Sequence, residues 1–309
     1  MTETDAGVRA YFEQALRDDP DFALAYSGLA DYYAVSWWVK TDKPLAEKYA
    51  RKAVALEPDL AEGHASLGIA CVYQGKFAEG EKELQRAIGL NPNYAMAHHW
   101  YSLPLVALGR PAEALAENDR ARRLDPFSLP INYFRGVMLL GLHEYDRAVE
   151  QMETVAEINP QSTSPHGELA RIYWIEGKVP DALAEERKVA ALAHVPVVFH
   201  DQEEIAAAYA KSGLPAAQLK AAQLKERGYK AYRQEQERGA PSDECYSALF
   251  IAFQYGLLKD KKKVLHWLNE VYSNDGANLI TYGKSAPEFD FLRSDPRFRE
   301  ILHRVNLTP

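Results

Sequence analysis

Three kinds of residue grouping in this chain have the types and spacing that could do chemistry. Gly283-Lys284-Ser285 is similar to the close of a phosphate-binding loop, in which backbone N–H groups and a lysine hold phosphate oxygens. The glycine that such a loop needs five residues earlier is Asn278, and no apolar strand leads into it. Histidine stands close to carboxylates at His166-Gly167-Glu168 and at His200-Asp201-Gln202-Glu203. Zinc hydrolysis needs a second histidine one helical turn on, and neither segment has it. No Gly-x-Ser-x-Gly elbow is present to expose a nucleophilic serine. The third grouping is His64, His98 and His166, which occupy the same position in three of the internal repeats and suggest a metal ladder. Stacked helices lie on the order of 10 Å apart, too far to share an ion bound at about 2 Å. His98 and the adjacent His99 point about 100° apart on a helix. These histidines are therefore read as packing residues. The sequence offers no catalytic, cofactor or metal site and reads as a protein that is not an enzyme.

Composition narrows the partners. The 309 residues carry 36 lysines and arginines against 44 acids, a net charge of −8 that argues against a nucleic-acid backbone as ligand. The basic runs Lys261-Lys262-Lys263 and Arg120-Ala121-Arg122-Arg123 read as solvated helix faces. No apolar run approaches the ~18 residues of a membrane span. The acidic start, Met1-Thr-Glu-Thr-Asp5, is unlike a signal peptide. Cys71 and Cys245 are too few for a disulfide framework, which predicts a reducing, cytoplasmic setting.

The elements that must position these residues follow from a repeat. Asp19-Pro20-Asp21, Glu57-Pro58-Asp59, Asn91-Pro92-Asn93, Asp125-Pro126-Phe127 and Asn159-Pro160-Gln161 place proline at 20, 58, 92, 126 and 160. Five residues before each stands a small or β-branched residue: Ala15, Ala53, Ala87, Ala121 and Val155. Leu29-Ala30, Leu67-Gly68, Tyr101-Ser102, Gly136 and Leu169-Ala170 hold a matching place downstream, with turn glycines at Gly75, Gly109 and Gly177. Such a unit is two antiparallel helices, close-packed through small residues and stopped by proline. One pair cannot bury its own apolar face, so pairs stack. The pattern predicts an all-α solenoid with five regular repeats over residues 23–196 and a lone second helix of a truncated repeat in 1–22. Degenerate pairs and a C-terminal capping helix fill 197–309, with Ser294 as cap and Pro296 in the first turn of the last helix. The lone helix carries Val8, Tyr11, Phe12 and Leu16 without a preceding partner helix, which marks it as a surface for self-association or a partner.

The repeat resembles the tetratricopeptide family, which implies a right-handed superhelix with a concave groove. Asn91-Pro92-Asn93-Tyr94-Ala95-Met96-Ala97-His98-His99-Trp100-Tyr101-Ser102 and Phe289-Asp290-Phe291-Leu292-Arg293-Ser294-Asp295-Pro296-Arg297-Phe298 are similar to the C-terminal repeat regions of bacterial multidomain regulators. In those, a winged-helix, Ser/Thr kinase or cyclase domain comes first. The resemblance implies a signalling context and an alternative reading: the sensory region of a regulator whose effector domain is absent here.

Carried onto this chain, the family's groove positions fall on Asp31, Tyr73, His99, Trp100, Tyr133, Arg171 and Trp174, an aromatic surface suited to an apolar or amphipathic peptide. The fifth positions Ser27, Ala65, His99, Tyr133 and Gly167 assemble no carboxylate clamp. The sixth positions Gly28, Ser66, Trp100, Phe134 and Glu168 form no asparagine ladder. Pro104, inside a first helix, predicts a kink beside His99 and Trp100. Trp37-Trp38 reads as a plug over the first repeat. The reading that follows is a protein–protein interaction scaffold holding a partner protein or peptide in the groove.

Overall fold

The computed structural model describes residues 3–35, 43–193, 198–237, 247–274 and 277–307. Trp37, Trp38 and Cys245 lie outside them. The described residues are helical throughout, with no strand among them. In chain order the helices are α1 Glu3–Asp18, α2 Ala23–Val35, α3 Lys43–Leu56, α4 Ala61–Val72, α5 Phe77–Leu90, α6 Ala95–Ala107, α7 Pro111–Leu124, α8 Leu129–Gly141 and α9 Tyr145–Ile158. There follow α10 Ser164–Ile175, α11 Val179–Leu192, α12 Val198–Glu237, α13 Ala248–Leu257, α14 Lys261–Asn274, α15 Ala277–Tyr282, a 3₁₀ segment Pro287–Leu292, and α16 Pro296–Arg304. None of them is long and apolar enough to cross a membrane.

Local chemistry explains the hairpins. Asp19, Asn91 and Asn159 each accept a hydrogen bond from the backbone N–H two residues on, closing the turn around the intervening proline at 3.1, 3.1 and 3.2 Å. The turn inside each hairpin needs one left-handed residue. Gly75, Gly109 and Gly177 supply it with φ of 74, 76 and 72°, and His143 takes the same place in the fourth repeat at φ 62°. Gly213 breaks α12 at φ 74°, with Pro215 opening its second half. α6 continues as a helix through Pro104. The cap of α16 is Asp295 rather than Ser294: its Oδ1 accepts from the Arg297 N–H at 2.9 Å.

The chain divides into two compact units, Met1–Ile131 with Arg304–Thr308, and Asn132–His303 with Pro309. In the first, α1 packs on α2, and α2/α3, α4/α5 and α6/α7 form hairpins stacked through α2, α4 and α6. The alanines before the prolines, Ala53, Ala87 and Ala121, are fully buried. Gly68 and Gly80 face each other where α4 and α5 cross: a Cβ at Gly80 would lie 2.7 Å from Val72 Cγ2 and 2.9 Å from the Gly68 carbonyl. Gly89, in the same helix, has open space around it. We therefore expect opposite signs from one substitution. Gly89→Ala gains about 0.5–1 kcal/mol of helix propensity, while Gly80→Ala loses about 1–3 kcal/mol to overpacking despite the same propensity gain. Urea denaturation of the two variants beside the parent checks it, and equal shifts would refute the close crossing.

In the second unit α9 packs on α10, and α10 to α14 follow in contact order. Its main apolar cluster is Trp174, Val179, Ala182, Leu183, Ile205, Ala217, Ala221 and Leu224.

Candidate functional site

The histidines at the shared repeat position reach a partner nineteen residues on, in the second helix of their own hairpin. His64 Nδ1 meets Glu83 at 2.6 Å, His98 Nδ1 meets Glu117 at 2.7 Å, and His166 Nδ1 meets Glu185 at 2.6 Å. The fourth repeat keeps the geometry without charge, with the Gln151 amide donating to Asn132 Oδ1 at 3.2 Å. In His64 and His98 the other ring nitrogen faces the carbonyl of Pro58 or Pro92, at 2.9 and 3.0 Å. Both neighbours of the ring are acceptors. For His98, the bond to Glu117 raises the pKa against the opposing effect of burial, with Arg120 nearby working weakly the other way. A histidine whose folded pKa lies above its unfolded value of about 6.5 gives full stabilisation below that value and loses it as pH rises through the folded pKa. Between pH 6 and 9 the parent should therefore lose stability that His98→Gln does not lose. Denaturant midpoints taken across that range decide it, and parallel pH curves would refute the assignment.

Elsewhere in the first unit, Glu47, Cys71 and Glu79 bring three potential ligand atoms within 4.8 Å of one another. Their chemistry does not fit an ion. Arg51 bridges the two carboxylates at 2.7 and 2.5 Å, and Lys76 reaches Glu47 at 2.6 Å. Burial works against the Glu47 charge, yet bonds from Lys76, Arg51 and Gln74 hold its pKa down at about 2. Burial pushes the Cys71 thiol up to about 12. A cation in place already and an inert thiol make this a structural ion-pair network.

The residues expected along the groove are not one open surface. In the first unit Asp31 and Tyr73 are half-buried, whereas His99 and Trp100 are buried. Burial raises the Asp31 carboxyl to about 7, against the Ser66 hydroxyl and with the help of Glu62, and its Oδ1 has no hydrogen-bond partner. Burial lowers the His99 imidazole to about 4, keeping it neutral beside Asn118. In the second unit Trp174 is 1% exposed inside the apolar cluster, with Nε1 donating to Glu186 at 3.1 Å. It is a core residue and presents no surface to a ligand.

Tyr133 and Arg171 are drawn into a cluster that helix positions alone did not reveal. Arg171 Nε and Nη2 donate to the two oxygens of Glu288 at 2.6 and 2.8 Å, and Nη1 donates to Glu168 at 3.1 Å. The hydroxyls of Tyr133 and Tyr282 both donate to Glu168 Oε1, at 3.0 and 3.1 Å. The guanidinium lies 3.8 Å from the centre of the Phe253 ring. Burial works against the Arg171 charge, and the Glu288 and Glu168 carboxylates more than offset it, so the pKa is raised. Burial and the Glu168 carboxylate raise both phenols. The first-helix face of this unit is thus covered by its own C-terminal segment. Sequence reasoning found Tyr133 and Arg171 but missed Glu168 as a partner, Phe253, Tyr282 and Glu288. No sequence signal pointed to them, because the repeat period does not connect Arg171 with Glu288.

Several apolar side chains of the first unit are exposed elsewhere. Tyr11 is 81% and Val8 48% exposed, one turn apart on α1, while Phe12, one turn beyond Val8 and beside Tyr11, packs against Gly28; Phe127, between α7 and α8, is 78% exposed. Phe22 and Leu24, at the turn into α2, are 41% and 44% exposed.

The tetratricopeptide-repeat family matches residues 65–128. No curated protein matches the sequence. Among solved structures, a chain of the APC/C hetero-tetramer Cut9–Hcn1 is 16% identical, with a TM-score of 0.58 over 97% of this chain and 52% of that one. TTC0263, a tetratricopeptide-repeat protein of Thermus thermophilus, is 18% identical, with a TM-score of 0.50 over 58% of this chain and 97% of its own. YrrB, a repeat protein with an unusual peptide-binding site, is 19% identical over 62% of this chain and 97% of its own, with a TM-score of 0.43. Identities at this level speak to the fold.

Proposed function

We propose that this chain, whose residues 65–128 match the tetratricopeptide-repeat family, is an interaction scaffold whose partner contact in the first unit is the exposed part of α1 around Val8 and Tyr11. One observation carries this reading: Val8 and Tyr11 remain exposed on a helix that packs on α2 through Phe12, while the inner-face residues His99 and Trp100 are buried. Apolar side chains left exposed beside a packed face cost free energy in water until another apolar surface covers them. The partner that suits it is an amphipathic helix, laid against Val8 and Tyr11 as one helix of a hairpin lies against the next. Phe22 and Leu24 add apolar surface at the turn that follows.

The test compares the intact chain with Val8→Ser/Tyr11→Ser in an affinity pull-down from source-cell lysate and in sedimentation of the purified proteins, at equal helicity. A lysate partner lost by the double variant supports the reading, and a dimer lost by it identifies the partner as a second copy. Equal capture and equal sedimentation would remove α1 from the interaction.

A further inference from the structure

Within the second unit, residues 282–292 lie on the face formed by α8, α10 and α13 as a peptide lies in a cleft. Two glycines make the space. A Cβ at Gly141 would stand 3.0 Å from Ser285 Cβ, and one at Gly256 would stand 2.7 Å from the Glu288 carbonyl. Within Glu288-Phe289-Asp290-Phe291-Leu292, the side chains turned inward are Glu288, Phe289 and Leu292, at 5, 0 and 0% exposure, while Asp290 is exposed. Glu288 takes both forks of Arg171, and Phe289 sits between the rings of Phe253 and Phe298 at 5.4 and 6.0 Å.

This contact differs in kind from the apolar cluster around Trp174 in the same unit. A buried ion pair adds little net stability over an apolar substitute, because desolvation offsets most of the attraction; what it fixes is which group sits where. A bidentate arginine reads a carboxylate, and an aromatic slot beside it reads a ring. An anchor charge, an aromatic anchor and room for backbone are the components of peptide recognition.

We propose that this face is a peptide-binding site held shut in cis by residues 282–292, and that it accepts an acidic–aromatic segment of a partner protein, of pattern Glu-Phe-x-x-Leu, when that segment is displaced. A tethered segment competes at an effective concentration on the order of millimolar, so a free peptide of equal intrinsic affinity gains no foothold on the intact chain. Weakening the tethered copy alone uncovers the site.

The probe is a fluorescein-labelled peptide, Gly-Lys-Ser-Ala-Pro-Glu-Phe-Asp-Phe-Leu, titrated by anisotropy against the full chain and against Glu288→Gln. Amide hydrogen exchange over 282–292 is followed in both proteins. The expected result is binding to Glu288→Gln at least tenfold tighter than to the parent, faster exchange in the segment, and loss of binding when the glutamate of the peptide is glutamine. Faster exchange without peptide binding overturns the proposal, as does equal binding by parent and variant. Unchanged exchange with no binding overturns it too, by assigning the segment to the permanent core. Should Glu288→Gln lose helicity, Glu288→Asp, which keeps the charge and shortens the reach to Arg171, is read by the same criteria.

Discussion

Arg171→Met destabilises the second unit by about 3–5 kcal/mol, the cost of leaving buried carboxylates without their cation. The guanidinium is the single positive group among Glu168, Glu288, Tyr133 and Tyr282 in this cluster, and it satisfies three carboxylate oxygens at 2.6, 2.8 and 3.1 Å. Methionine fills a similar volume and removes the charge. Glu168 then keeps two phenol donors, whereas Glu288 keeps none of the bonds described here. The same reasoning gives a sharper expectation. Adding Glu168→Gln and Glu288→Gln to Arg171→Met should recover most of the loss, because the penalty belongs to orphaned charge and not to lost packing. Urea denaturation of the single and triple variants checks both statements. A triple variant no more stable than the single one would mean that packing around the guanidinium, including its contact with Phe253, carries the effect.

Trp174→Ala is expected to cost about 3–5 kcal/mol, the range for removing a large aromatic from a core. The side chain is fully enclosed by α11 and α12 residues, among them Val179, Leu183, Ile205 and Leu224. Its indole hydrogen bond is a minor part, since Glu186 also accepts from Lys225 at 2.9 Å. Hydrogen exchange should accelerate in α10–α12, and Trp174→Phe should recover more than half of the lost stability in the same denaturation. A loss below about 1 kcal/mol for alanine would contradict the burial. The practical meaning is that alanine at 174 reports on folding. It cannot serve as a binding mutation on this face.

These two residues show what the sequence made legible and what it did not. Helix pairs, turn glycines and proline stops recur at short range, and each acts on neighbours within one repeat, so periodicity exposed them. Which inner-face positions face a ligand depends on what covers them. The group that covers Arg171 is 117 residues away in the chain, in a segment that repeats nothing. Trp174 lies at a groove position in the repeat, but the degenerate pair that follows brings Ile205, Ala217 and Leu224 over it. His143 shows the opposite limit: the turn demands a left-handed residue, yet the fourth repeat fills it with histidine, held by Tyr145 at 3.0 Å and Asp290 at 3.1 Å. A glycine search passes over that turn because the constraint acts on backbone conformation and not on residue type.

The polar pairs nineteen residues apart that join the two helices of four hairpins, α4/α5 to α10/α11, are private to each hairpin. His64–Glu83, His98–Glu117, Asn132–Gln151 and His166–Glu185 all close within one repeat, and none borrows its partner from the repeat before or after. A gene encoding such a chain can therefore gain or lose a whole unit, such as residues 95–128, without stranding half of any of these pairs. Array length is then free to change by whole units, while a change at one member of a pair calls for a matching change at the other, as the Asn132–Gln151 pair that stands in the fourth repeat where others carry His and Glu illustrates.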